Sequence, residues 1–182
     1  MYAGHFAAGL ALKAKAPRAS TTGLLVGTGL LDILFGPFVL LGIERVSMTP
    51  GSSPGFSLDF IDWSHSLAMS LVWSVAYALL FLRRGRAIAA LMGFAVFSHF
   101  LLDLPMHPHD MALWPHSAAH LGLGLWKTSW WWWIELACVV AGCGYYWSRA
   151  RTHAEFGRHA TWIVVIVLVL HLVNSPWLSA TR

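Results

Sequence analysis

The chain has 182 residues, of which 57% are hydrophobic and 11% charged, with a mean hydropathy of +0.61. A soluble domain of this length carries about 25% charge, so the composition points away from a soluble globule and toward an integral membrane protein. The size suits one helical bundle and leaves no room for a separate soluble domain.

Six hydrophobic segments follow in chain order. The first, Tyr2 to Leu12, is short, includes His5 and extends to about Ala16 if helical. The second, Thr21 to Ile43, is interrupted by Asp32, Gly36 and Pro37. The third runs from Trp63 to Leu82 and the fourth from Ala87 to Leu104. The fifth, Trp130 to Trp147, opens on four tryptophans, and the sixth, Thr161 to Leu178, is nearly all Val, Ile and Leu apart from His171. A span needs about 20 apolar residues. The expected fold is therefore all-α: a polytopic membrane bundle of about five to six transmembrane segments, forming one domain over residues 1–182. Its metal-site core covers about 4–120, and two further membrane helices cover about 130–178.

Nine of the twelve basic residues fall in alternate loops: Lys13, Lys15 and Arg18; Arg83, Arg84 and Arg86; Arg149, Arg151 and Arg158. The positive-inside rule places those loops in the cytoplasm of a cell whose inner membrane holds the chain. Both termini and the loops 44–62 and 105–129 then face outward. Trp126 and the run Trp130 to Trp133 read as an aromatic belt at the outer interface. Gly23 and Gly27 have the spacing of close helix packing. Cys138 and Cys143 share one apolar run and read as packing residues. No cleavable signal is expected, because the N-terminus lacks a basic region ahead of its apolar stretch.

Ionisable residues inside apolar segments are costly and usually face a bundle interior or a wet cavity. With about 1.5 Å of rise per residue, the alternating topology brings His5, His65, His99 and Asp103 to the outer half of the bilayer. Asp32 sits somewhat deeper. Imidazole and carboxylate suit a divalent metal, zinc first and manganese or iron after it. His99 and Asp103 stand at i and i+4 and project from one helix face. A buried His–Asp hydrogen bond would explain that pair without a metal; three histidines and two aspartates at one depth fit a metal better. His171 and Glu135 read as structural. His107, His109, Asp110, His116 and His120 follow the fourth segment, with three readings open: second-site ligands, a proton shuttle, or an exposed histidine-rich loop. Pro105, Pro108 and Pro115 suggest that 105–115 is irregular, and His116 and His120 would share a face if 117–120 is helical.

Three blocks resemble the YdjM-type inner-membrane proteins, a family of LexA-binding, metal-dependent hydrolases. "GHFAAGLAL" is similar to the family's opening Gly-His helix. "DWSHSLAMS" is similar to part of its HRGxTHS block. "FSHFLLDLPMHPHDMALWP" resembles its SHxxxDxxTxxGxxxxWP block. Between them "LLDILFG" looks like a reduced form of LLPDIDH, with Asp32 and Leu34 at the paired aspartates and Phe35 at the following histidine; the HRG histidine has no counterpart. The likeness covers about Gly4 to Pro115. The order His, Asp, His, His-x3-Asp is also similar to that of zinc-dependent phospholipase C enzymes.

The expected function is a membrane-embedded metal-dependent hydrolase acting on a lipid or phosphoester at the outer half of the bilayer. His5, Asp32, His65, His99 and Asp103 would hold the metal, and Asp62 or His109 would act as general base. The partners are membrane lipid and a lipid-type substrate. No nucleic-acid partner is expected, and no protein partner is identified beyond the one the family's LexA label implies. Two other readings stand beside it: a proton or metal-ion channel or transporter, and a non-catalytic membrane scaffold with a vestigial site.

Overall fold

Small residues decide where the helices break. The computed structural model describes residues 2–49, 56–153, 156 and 159–179; Arg158 of the third basic loop lies outside them. Helix α1 spans Ala3–Lys15. It outruns its apolar stretch because Lys13 is buried and its Nζ donates to the Ala19 carbonyl at 2.9 Å, beyond the helix end. Helix α2, Thr21–Thr28, starts on Ser20, whose hydroxyl accepts from the Gly23 amide. Gly29 then interrupts the helix, and α3, Leu30–Leu40, leaves at 51°. Strands β1 (Arg45–Met48) and β2 (Phe56–Phe60) form an antiparallel pair.

A single turn, α4 (Asp62–His65), ends at Ser66, which is extended and caps α5 (Leu67–Leu80) by accepting from the Met69 amide. Helix α6 runs unbroken over Arg86–Met106. Strands β3 (Met111–Ala112) and β4 (His120–Leu121) make a second small antiparallel pair. Helices α7 (Trp131–Ala150), α8 (Ala160–Val173) and α9 (Pro176–Ser179) complete the described chain.

The expectation of five to six transmembrane segments in an all-α bundle is overturned. Among the described residues only α6 is long and apolar enough to cross a membrane; α2 and α3 meet the same test only as one bent pair. The reason is helix length. Counting apolar residues ran through the breaks at Gly29, Ser66 and Asn174–Ser175, where the backbone stops being helical. Helices α5 and α8 have 14 residues each, about 21 Å of rise against an apolar layer of about 30 Å. Helix α7 has 20 residues, but its tryptophans, tyrosines, glycines and Glu135 dilute its hydropathy. The stretch 44–62 is largely a β-pair, and 117–120 leads into β4 instead of a helix, so His116 and His120 share no helix face. Pro105 lies inside α6, which continues to Met106.

Two apolar cores flank the start of α1. One joins α1, α7 and α8 through Leu10, Val139, Tyr146 and Val167. The other joins α2, α5 and α6 through Leu24, Tyr77, Met92 and Val96. Helix α1 reaches α7 closely because position 142 is glycine: a Cβ there would lie 2.5 Å from the Ala7 carbonyl oxygen. Gly144, two residues on, faces open space.

Gly142→Val should therefore force α1 and α7 apart and cost about 1–3 kcal/mol, as overpacking does. Gly144→Ala should be neutral or stabilising by up to about 1 kcal/mol, because alanine is the better helix former. Thermal unfolding of the two variants in detergent checks both: a lowered Tm for the first and none for the second.

Candidate metal centre

The five residues read from the sequence as ligands come from four helices and meet at one place. His5 is in the first turns of α1, Asp32 in α3, His65 at the end of α4, and His99 and Asp103 in the second half of α6. His5 Nε2 lies 3.1 Å from Asp103 Oδ1, and His99 Nε2 lies 3.0 Å from Asp103 Oδ2. Asp32 Oδ1 lies 3.5 Å from His65 Nε2 and 3.6 Å from His99 Nε2. His65 Nε2 is 3.9 Å from Asp103 Oδ2. Four-coordinate zinc with bonds of about 2.0–2.2 Å sets its ligand atoms about 3.3–3.6 Å apart. The two separations from Asp32 match that spacing, while the His5–Asp103 and His99–Asp103 pairs stand at hydrogen-bond distance. The donors divide into two overlapping sets, His5–His99–Asp103 and Asp32–His65–His99.

The other nitrogen of each ring explains why Nε2 faces inward. His99 Nδ1 lies 2.7 Å from the Thr28 carbonyl. A carbonyl only accepts, so Nδ1 carries a proton and Nε2 is the nitrogen turned to the carboxylates. That carbonyl is available because α2 ends at Thr28 and leaves its last C=O groups without helical partners. His65 Nδ1 lies 2.6 Å from Ser64 Oγ. Ser64 Oγ lies 2.8 Å from both oxygens of the buried Glu44, and the Ser64 amide donates to Glu44 Oε1 at 2.7 Å. With the hydroxyl proton given to Glu44, Oγ accepts from His65 Nδ1–H, and His65 Nε2 presents a lone pair. Burial holds the His65 imidazole below its ordinary pKa and keeps it neutral. Outer groups that fix a ring's tautomer in this way are the usual support of metal-ligating histidines.

His99 Nε2 is fully buried and faces Asp103 Oδ2 at 3.0 Å, a pairing that a shared proton or a cation between them would satisfy. The His5 and His99 rings stack with centroids 3.7 Å apart and planes 8° from parallel, an arrangement that disfavours charging both rings at once. The donor set suits zinc, with manganese or iron also compatible with its imidazole and carboxylate mixture.

His107 joins the cluster, and the sequence left its role open. It is buried, with Nε2 3.7 Å from Asp103 Oδ2 and Nδ1 3.0 Å from Asp110 Oδ1. Its ring packs on Trp126, with centroids 4.2 Å apart. The signal was the spacing His99, Asp103, His107, one helix face that was lost by ending the helix before Pro105. Glu44 gave no signal at all, because it meets Ser64 only through the β1–β2 connection.

Neither residue read as a general base touches the cluster. Asp62 is buried at the start of α4, and its Oδ2 accepts from the His116 amide at 2.7 Å, tying the β3–β4 segment down. His109 is exposed in the turn before β3. His116 stacks on Phe60, and His120 is exposed. Phe35, at the position where the resembled family has a histidine, packs edge-on to His65 with centroids 5.8 Å apart. Asp32 is the most open of the five ligand positions, its side chain 42% exposed, so the cluster reaches the outside on the α3 side.

No protein-family model, curated protein or solved structure matches the chain. The resemblance to YdjM-type proteins stays a likeness of three short blocks, and the case for a metal rests on donor chemistry and geometry.

Ser64→Ala removes the group that orients His65 and should weaken zinc binding by about 10–100-fold, as losses of such partners do. His109→Ala should leave it unchanged. Competition with a chromophoric chelator measures both. Equal affinities in the two variants would show that the Glu44–Ser64–His65 chain does not serve the centre.

Proposed function

We propose that the chain is a membrane-associated, metal-dependent hydrolase acting on a lipid phosphoester or a related lipid-type ester. One observation carries the reading: imidazole Nε2 atoms and two carboxylates converge in a buried cluster, with the tautomers of His65 and His99 set from behind. A bound divalent ion supplies Lewis-acid polarisation of a phosphoryl or acyl oxygen and lowers the pKa of water.

The chain's own residues do the rest. His5, His65, His99 and Asp103 bind and orient from the buried side. Asp32, partly exposed, stands between the cluster and the outside, where it can accept a proton from an approaching water. Asp62 holds the β3–β4 segment through the His116 amide and thereby shapes the surroundings of the cluster.

Lipid is favoured as surroundings and substrate by the apolar side chains left outside. Trp162, Ile166, Val169 and Val173 recur along one face of α8 and are exposed; Leu71, Val72, Val75 and Leu79 do the same on α5. Contiguous exposed apolar faces of this kind mark membrane or partner contact. Arg86 and Asp103 stand seventeen residues apart in α6, about 26 Å of rise, so that helix's basic end is remote from the cluster. This reading places the chain at a membrane, with the basic end of α6 on one side and the cluster toward the other.

The test is hydrolysis of phospholipid in mixed micelles by the purified chain. Turnover should be abolished by chelation and restored by zinc or manganese. Asp103→Ala should lose more than the factor of about 10–100 typical of outer partners. Turnover indifferent to chelation and to Asp103→Ala, or no turnover of any lipid phosphoester by metal-loaded protein, would contradict the reading.

A further inference from the structure

We propose that Glu135 of α7 is a positioning residue for the metal centre: it pins the start of α1 and, through it, the imidazole of His5. The proposal rests on the metal-centre reading and adds a role for α7, which supplies no ligand.

The first amides of a helix have no acceptor inside it. In α1 the residue before the helix, Tyr2, provides no side-chain cap. Instead the Gly4 amide donates to Glu135 Oε1 at 3.0 Å, in a buried bond between residues 131 apart in sequence. A carboxylate at a helix start also meets the positive end of its dipole. His5 is the next residue, and its Nε2 faces Asp103.

His5 needs this support more than the others. His65, His99 and His107 each turn Nδ1 to a partner that fixes the ring. His5 Nδ1 is buried and has no hydrogen-bond partner. Its direction therefore depends on where α1 begins and on the stack against His99. Glu135 is buried, its Oε2 lies 4.0 Å from His171 Nδ1, beyond hydrogen-bond reach, and Trp132 stacks on the His171 ring with centroids 4.5 Å apart. Helices α1 and α7 also meet closely at Gly142. A buried acid serves packing no better than an apolar residue of similar volume; its oxygen on the Gly4 amide is what an apolar residue cannot replace.

A double-mutant cycle tests this with the full chain in detergent, titrated with Co²⁺ and read by its visible absorption, with the Tm of the metal-free protein measured beside it. Glu135→Ala should raise the Kd by about 10–100-fold, and Glu135→Gln, whose amide oxygen still accepts from Gly4, by much less. In a His5→Ala background Glu135→Ala should cost nothing further, because its route to the metal is already gone. Should Glu135→Ala fail to fold, Glu135→Leu fills the volume without an acceptor and enters the same cycle. An unchanged Kd in either variant, or an equal loss with His5 already removed, would overturn the proposal while leaving the metal centre standing. A wild-type chain that binds no Co²⁺ would overturn both.

Discussion

The hydrogen bond from His99 Nδ1 to the Thr28 carbonyl orders the interior around it. It exists because α2 stops at Gly29 and releases that carbonyl. It fixes a proton on Nδ1 and turns Nε2 toward Asp103 and Asp32. From there the rest is a problem of charge. Two carboxylates and several imidazole lone pairs share a buried volume, and a buried charge is tolerated only when it is compensated. Among the described ion pairs the imidazoles of His5, His99 and His107 face Asp103, and the divalent cation proposed above would add to that compensation.

The same need arranges the elements that bear no ligand. Ser66 ends α4 after a single turn, which sets His65 at the cluster and leaves Ser64 free to link it to Glu44. Asp62 opens that turn and holds the β3–β4 segment. Helices α1 and α7 approach through Gly142, and Glu135 reaches the Gly4 amide. Each local break or close contact thus has a counterpart in the placement of one donor.

The convergence of these five side chains was legible because ionisable residues are conspicuous in an apolar sequence, and the i, i+4 spacing of His99 and Asp103 survives any uncertainty about helix ends. The architecture was less legible. Hydropathy sums do not register that one glycine bends α2 from α3 by 51°, or that Ser66 is extended. The β1–β2 pair went unread although RVSM at Arg45–Met48 and FSLDF at Phe56–Phe60 both alternate polar and apolar residues, the period of a strand; the long apolar segments on either side dominated the reading. The role of His107 stayed open because Pro105 reads as a stop, though a proline in the last turn of α6 leaves the helix running to Met106. Glu44 and Glu135 act across 20 and 131 residues of sequence, distances at which spacing carries no information.

The central claim is that a metal ion, and not a proton, lies among these donors. Metal content by elemental mass spectrometry tests it most directly, on untagged protein purified in detergent beside a His99→Ala, Asp103→Ala double variant. The account predicts one or two equivalents of zinc, manganese or iron per chain, lost in the variant. A folded wild-type chain that holds no metal after supplementation and dialysis would contradict it, and the cluster would then be a protonated His–Asp network.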